Sequence, residues 1–225
     1  MPVLRLPSLP ATAGKQHWGN LPGAALSLAI AEAANSAKRF TLLLTADSQS
    51  AERLEQELSF FAPELPVLHF PDWETLPYDL FSPHQDIISQ RIAALYRLPE
   101  LKHGILVVPI TTALHRLAPR RFLLGSSLVL DVGQRINVDD MRARLEATGY
   151  RYVDTVYEHG EFTVRGALID LFPMGSKQPF RIDLFDDEIE TLRTFDPETQ
   201  RSIDKVESIK LLPAREFPLE KKAVT

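Results

Sequence analysis

Two arginines and a phenylalanine carry the most pointed chemistry in the sequence. In Phe180-Arg181-Ile182-Asp183-Leu184-Phe185, strand alternation sends Phe180, Ile182 and Leu184 to one face and Arg181, Asp183 and Phe185 to the other. The first set makes a core face. The second places a large aromatic beside an arginine, residue types enriched at protein-binding surfaces. Upstream, Phe162 and Val164 alternate with Glu161, Thr163 and Arg165. A second strand therefore brings another arginine to a polar face before Gly166, which permits a bend or bulge. Two readings follow. Either the face is a docking surface, or the arginines are solvated and pair with neighbouring acids for about 0–1 kcal/mol, with Phe185 tucked under a loop.

Three other stretches mimic catalytic motifs. Gly14-Lys15 resembles the end of a phosphate-binding loop, but Leu9 stands where its first glycine belongs and Gln16 where Ser or Thr must bind Mg²⁺. Gly19-Asn20-Leu21-Pro22-Gly23-Ala24-Ala25 opens a helix, yet it has neither the lysine nor the hydroxyl. Without them the phosphates lose their main cation and the metal its protein ligand, so the loop reads as degenerate and the chain as non-catalytic. Leu184-Phe185-Asp186-Asp187-Glu188 imitates the acidic strand end that holds Mg²⁺ in nucleotide hydrolases, although its alternation fits a hairpin strand with one wet face. A divergent nucleotide hydrolase using Gly23 and Asp187 is the rival reading. His69, His84 and His159 have no metal-ligand spacing and read as loop residues; no cofactor and no metal is implied.

The elements that must position these residues follow from periodicity. The run 23–37 is rich in Ala and Leu and long enough for a helix of about four turns. Short apolar runs at 40–45, 67–70 and 104–109 alternate with helical patterns at 51–61, capped by Asp47 or Ser48, and from Ser82-Pro83 onward, where Ile88, Ile92, Leu95 and Tyr96 share a face. That alternation predicts a parallel α/β sheet. After Phe122 the pattern changes to a strand at 128–130, a helix at 139–148 closed by Gly149, a hairpin over 160–186 turning at 173–179, a strand at 189–195 and a last strand at 206–212 closing the meander. We expect an α/β domain over 1–125, a smaller α+β domain with an antiparallel hairpin over 126–213, and the start of an unfinished segment over 214–225.

Composition sets the outer limits. The 225 residues are 44% hydrophobic and 24% charged with no cysteine, which excludes disulfides and thiolate metal sites and fits a cytoplasmic setting. No basic leader precedes an apolar run, and no stretch reaches the roughly 20 apolar residues of a membrane span, so no membrane partner is expected. A net charge of −5 argues against tight non-specific binding to nucleic acid, which depends on phosphate neutralisation by Lys and Arg.

The stretches DWETLPYDLFSPHQDIISQRIAALYRL at 72–98, GILVVPITTAL at 104–114 and EHGEFTVRGALIDLFPMGSKQPFRIDLFDDEIETLRTFD at 158–196 resemble, in order, the N-terminal region of bacterial transcription-repair coupling factors. The resemblance implies membership in a family of ATP-driven DNA translocases about five times this length, which displace stalled RNA polymerase and recruit nucleotide excision repair. It implies likeness to the excinuclease protein UvrB, with 1–125 similar to a degenerate UvrB domain 1a and 126–213 to UvrB domain 2, which binds UvrA. By position in the family's motifs, Arg165, Arg181 and Phe185 are implied to bind UvrA. Arg suits that role because its fork can pair bidentately with a partner carboxylate. The nucleotide-binding lysine has no counterpart in the 19–25 loop, and the DNA-clamping hairpin of UvrB is reduced to the loop around Trp73 and Tyr78. DNA and RNA polymerase are implied partners only of domains beyond Thr225; a third, regulatory reading holds that other domains of the full-length protein cover the same face until engagement with polymerase frees it.

Overall fold

The computed structural model describes residues 13–75, 80 and 82–218. The first prolines of the lead-in, Leu9 of the first glycine motif, Tyr78 of the aromatic loop and the end of the tail lie outside the described residues. Contacts divide the chain into two compact units, Met1–Asp72 with Arg97–His115 and Trp73–Tyr96 with Arg116–Thr225. They do not follow a single cut near residue 125. The segments 73–96 and 116–125, expected in the first domain, group with the second because their apolar residues, Ile88, Ile92, Leu95, Tyr96, Phe122 and Leu123, join its core.

In the first unit, helix α1 (Ala25–Ala37) and helix α2 (Ser48–Phe61) pack on strands β1 (Phe40–Thr45), β2 (Val67–His69) and β3 (Gly104–Pro109). The sheet order is β1-β3-β2, and both pairings are parallel. Central strand β3 is buried at every residue, which is why GILVVP reads as an unbroken apolar run rather than an alternation. It requires glycine at 104, where φ is +143° and an added Cβ would lie 2.5 Å from the Pro66 carbonyl oxygen. Helix α2 starts where Asp47 accepts a hydrogen bond from the Ser50 amide at 2.7 Å, an N-cap of the expected kind. Leu54, Leu58, Ile105 and Val107 share one core with Ala31, Ala34 and Ala51, and the short helix α4 (Ile110–Ala113) follows β3.

The second unit contains α3 (Gln85–Arg97), α5 (Arg120–Gly125), β4 (Leu128–Asp131), α6 (Val138–Ala147) and a run of strands from β5 to β11. Strands β5 (Arg151–Tyr152), β6 (Glu161–Arg165), β7 (Leu168–Leu171), β8 (Phe180–Phe185), β9 (Glu188–Phe195) and β10 (Ser202–Val206) form one six-stranded sheet in the order β10-β9-β8-β7-β6-β5. Every pairing in it is antiparallel except β5 with β6. Two expectations change here. Gly166, at φ +62°, is not a bend within one strand: with Ala167 it makes the reversal between β6 and β7, whose ends pair Arg165 with Leu168. A tight two-residue loop needs positive φ, which glycine adopts without penalty. The expected closing strand at 206–212 also splits. β10 closes the meander, while β11 (Ser208–Leu211) leaves it to pair with β4 in a separate two-stranded sheet.

Phe162, Ile169, Leu171, Ile182, Leu184, Ile189 and Leu192 form the core face of the large sheet, packed with Ile92, Met141 and Leu145 from the helices. At about 25 cal/mol per Å² of apolar surface removed from water, this face dominates the folding of the unit. The alternation that buries it turns the intervening side chains of β6, β7 and β8 outward, and those of β9 from Thr191 onward, past a register shift between the Leu184–Ile189 and Asp183–Thr191 pairs.

Candidate functional site

Register across the outward face decides which polar side chains meet. Asp170 on β7 stands opposite Thr163 on one side and Arg181 on the other, Arg181 stands opposite Arg193, and Arg193 stands opposite Lys205. Four cations, counting Arg165 two residues beyond Thr163, therefore gather over β6, β8, β9 and β10. Like charges directly opposite one another destabilise a sheet. Asp170 and Asp183 supply the compensation.

Asp170 is fully buried and is held by both site arginines. Arg181 donates from Nε to Oδ1 at 2.8 Å and from Nη2 to Oδ2 at 3.0 Å, a fork-to-carboxylate geometry. Arg165 Nη2 donates to the same Oδ2. The remaining nitrogen of Arg181, Nη1, points to the Gln200 carbonyl at 3.3 Å and Ser202 Oγ at 3.4 Å, while the guanidinium lies over the ring of buried Phe195, 5.0 Å from its centroid. The hydrogen bonds to Asp170 hold the Arg181 proton more tightly than in a free arginine, against the opposing effect of burial. Asp183 accepts from Thr191 Oγ1 at 2.7 Å and lies 3.9 Å from Arg193 Nε, and that Nε has no hydrogen-bond partner among the described residues.

The three residues singled out in the sequence share this face but do not do the same work. Phe185 is 70% exposed at the end of β8, so it does not tuck under a loop. Arg165 keeps 53% of its side chain in water, whereas Arg181 keeps 15%. The fork of Arg181, expected to be offered to a partner carboxylate, is occupied by Asp170. Sequence reasoning missed Asp170, Arg193 and Lys205. The signal for Asp170 was present, since a lone acid between Ile169 and Leu171 in a strand must face away from the core, but which strand would lie opposite could not be read.

The nucleotide-site candidates stay apart from any shared chemistry. No strand precedes α1 among the described residues, and Gly23 sits in a turn at φ +56°. Asp187 belongs to the β8–β9 turn of an antiparallel sheet, where it faces Arg135 at 3.7 Å. Among the described residues no cluster of three His, Asp or Glu side chains is placed to hold a metal. His69 lies in β2 rather than a loop and pairs with Glu55 at 3.0 Å, and His159 bridges Asp86 at 2.7 Å and the Ser176 carbonyl at 2.8 Å. Among the described residues no helix is long and apolar enough to cross a membrane.

Comparison with known proteins finds relatives of the region that carries the large sheet. The UvrB interaction domain model matches residues 128–217, a span that holds all six strands of the large sheet. Over 218 residues, 96% of this chain, the sequence is 50% identical to a transcription-repair-coupling factor of Escherichia coli K12. It is 52% identical over 206 residues to the factor of Haemophilus influenzae, with 92% of this chain covered, and 31% identical over 203 residues to that of Bacillus subtilis, with 90% covered. The chain spans 19%, 18% and 17% of those proteins, about a fifth of their length. Residues 128–217 are thus similar to the UvrB interaction domain, and nearly the whole chain is similar to part of the transcription-repair-coupling factors.

Proposed function

We propose that the chain is a non-catalytic N-terminal adaptor of a transcription-coupled repair factor, and that it recruits UvrA through the outward face of the six-stranded sheet. The observation that carries this reading is the exposed Phe185 beside the arginine cluster of a UvrB interaction domain. A large aromatic kept in water at a strand end contributes nothing to the core and suits a pocket on a partner. In this reading the second unit plays the part of UvrB domain 2. The parallel-sheet unit plays that of a degenerate domain 1a, a scaffold with no ATP hydrolysis of its own. ATP-driven translocation and contacts with DNA and RNA polymerase fall to the remaining four-fifths of a full-length factor, which would also cover this face until engagement frees it.

Calorimetric titration of purified UvrA into this chain, run beside Phe185→Ala, tests the proposal. Phe185 is the better probe than Arg181 because its truncation leaves no buried charge unpaired. Saturable binding that weakens by about 2 kcal/mol or more, roughly thirtyfold, is expected; equal binding by both proteins would move the interface elsewhere. The hydrolase reading survives only if labelled ATP binds the chain at millimolar nucleotide. Covering by the remaining domains predicts tighter UvrA binding by this chain than by the intact factor, and equal affinities would sink it.

A further inference from the structure

The adaptor reading rests on Arg165, Arg181 and Phe185, but the charge free to meet a partner lies elsewhere on the face. Arg181 and the inner edge of Arg165 are spent on Asp170. Register carries the positive charge onward to Arg193 and Lys205. Lys205 is exposed and has no ion pair among the described residues. Arg193 is 38% exposed at its side chain, with Asp183 at 3.9 Å as its only ion-pair partner among the described residues and Nε unbonded. A buried guanidinium N–H without an acceptor is a cost that a fold does not ordinarily accept without return. The acids within the row, Asp170 and Asp183, are engaged by Arg181 and Thr191; Asp186, Asp187 and Glu188 lie at the far end of β8, and exposed Asp204 precedes Lys205 in β10.

We infer that Arg193 and Lys205 form a second half of the docking surface, which takes an acidic segment of the partner laid over β9 and β10, while Arg181 and Asp170 act as the rigid frame between that half and Phe185. This deepens the adaptor reading and depends on it for the identity of the partner. Division of labour follows from exposure. Phe185 supplies apolar contact, the outer edge of Arg165 and the β9–β10 cations supply charge complementarity, and Arg181 is a positioning residue that works through Asp170 and Phe195. Charges of this half-open kind govern encounter rate and salt dependence more than residence time.

The test uses this chain with Arg193→Gln and Lys205→Gln, both outward residues whose replacements are shorter but stay polar while removing the charge. With UvrA, the double variant should bind about tenfold more weakly at low salt, through a slower on-rate, and should lose most of the salt dependence of binding. Phe185→Ala should weaken binding at all salt concentrations with the salt dependence retained. A double variant that matches the unaltered chain in on-rate and salt dependence overturns the inference. Hexaglutamate, followed by amide and arginine side-chain NMR, separates this idea from the adaptor reading, because it needs no UvrA. Shifts concentrated at Arg193 and Lys205 support an acidic-segment site even if UvrA does not bind. Shifts concentrated on the exposed Arg116, Arg120 and Arg121 instead would overturn it.

Discussion

The second unit holds two arginine forks on carboxylates, and their surroundings differ. Arg91, fully buried, donates from Nε to Glu216 Oε2 at 2.8 Å and from Nη2 to Oε1 at 2.9 Å. Trp73 Nε1 donates to the same carboxylate at 3.1 Å, and the guanidinium packs on the Trp73 ring, 4.6 Å from its centroid. Arg181 and Asp170 repeat the fork and the aromatic platform, with Phe195 in place of Trp73. Here, however, a third side chain, Arg165, reaches the carboxylate from water. The sealed pair can only hold chain segments together. The open one fixes a surface. Identical bonding chemistry is thus closed off in one place and left with a solvent-facing edge in the other, because a charge pair withdrawn from water has no remaining edge to offer.

That contrast can be broken by removing each carboxylate. Glu216→Ala should destabilise the second unit by about 3–5 kcal/mol, since it takes the bidentate carboxylate from a buried guanidinium, and urea denaturation followed by tryptophan fluorescence would show it. A loss under about 1 kcal/mol would mean that Arg91 finds water. Asp170→Asn should cost less, about 2–3 kcal/mol, because Arg165 is already half solvated. It should also weaken UvrA binding in protein that remains folded. In an Arg165→Ala, Arg181→Ala background, a further loss of UvrA affinity from Asp170→Asn would show that Asp170 does not act through the arginines. Phe185→Ala sharpens the comparison from the other side. Stability should change by no more than about 0.5 kcal/mol, as at an ordinary surface position, while binding falls.

The smallest expected effect is a pH dependence. Glu161 is nearly buried at the start of β6. Burial alone would raise its carboxyl, but the amides of Glu158 and Tyr157 and the guanidinium of Arg151 outweigh it and hold the group below the ordinary 4.5. A depressed folded value means that the unfolded chain takes up the proton first. The contribution is therefore fully present above the unfolded value and lost as pH falls through the lower folded one. Glu161→Gln should flatten the stability profile below about pH 4.5 and leave it unchanged near neutrality; an unaltered acid limb would show that other carboxylates set it.

Sequence alone determined the local facts. Alternation in 180–185 placed Phe180, Ile182 and Leu184 inward and Arg181, Asp183 and Phe185 outward, and the burial of β8 follows it. The apolar run 104–109 marked a buried strand, and Asp47 or Ser48 marked the start of α2, because strand period, two-faced burial and capping are each written within a few residues. Long-range pairing is not written that way. Which strand lies beside which, and in what register, was decided only when the Gly166 reversal brought β7 between β6 and β8. That pairing turned Asp170 into the partner of two arginines and aligned Arg181, Arg193 and Lys205 across three strands. The face of α3 was legible in sequence, but the core it joins was not, since an apolar stripe states that a helix must be covered and not by what. Residue type and spacing fixed which side chains could dock a partner; the tertiary structure decided which of them remain free to do so.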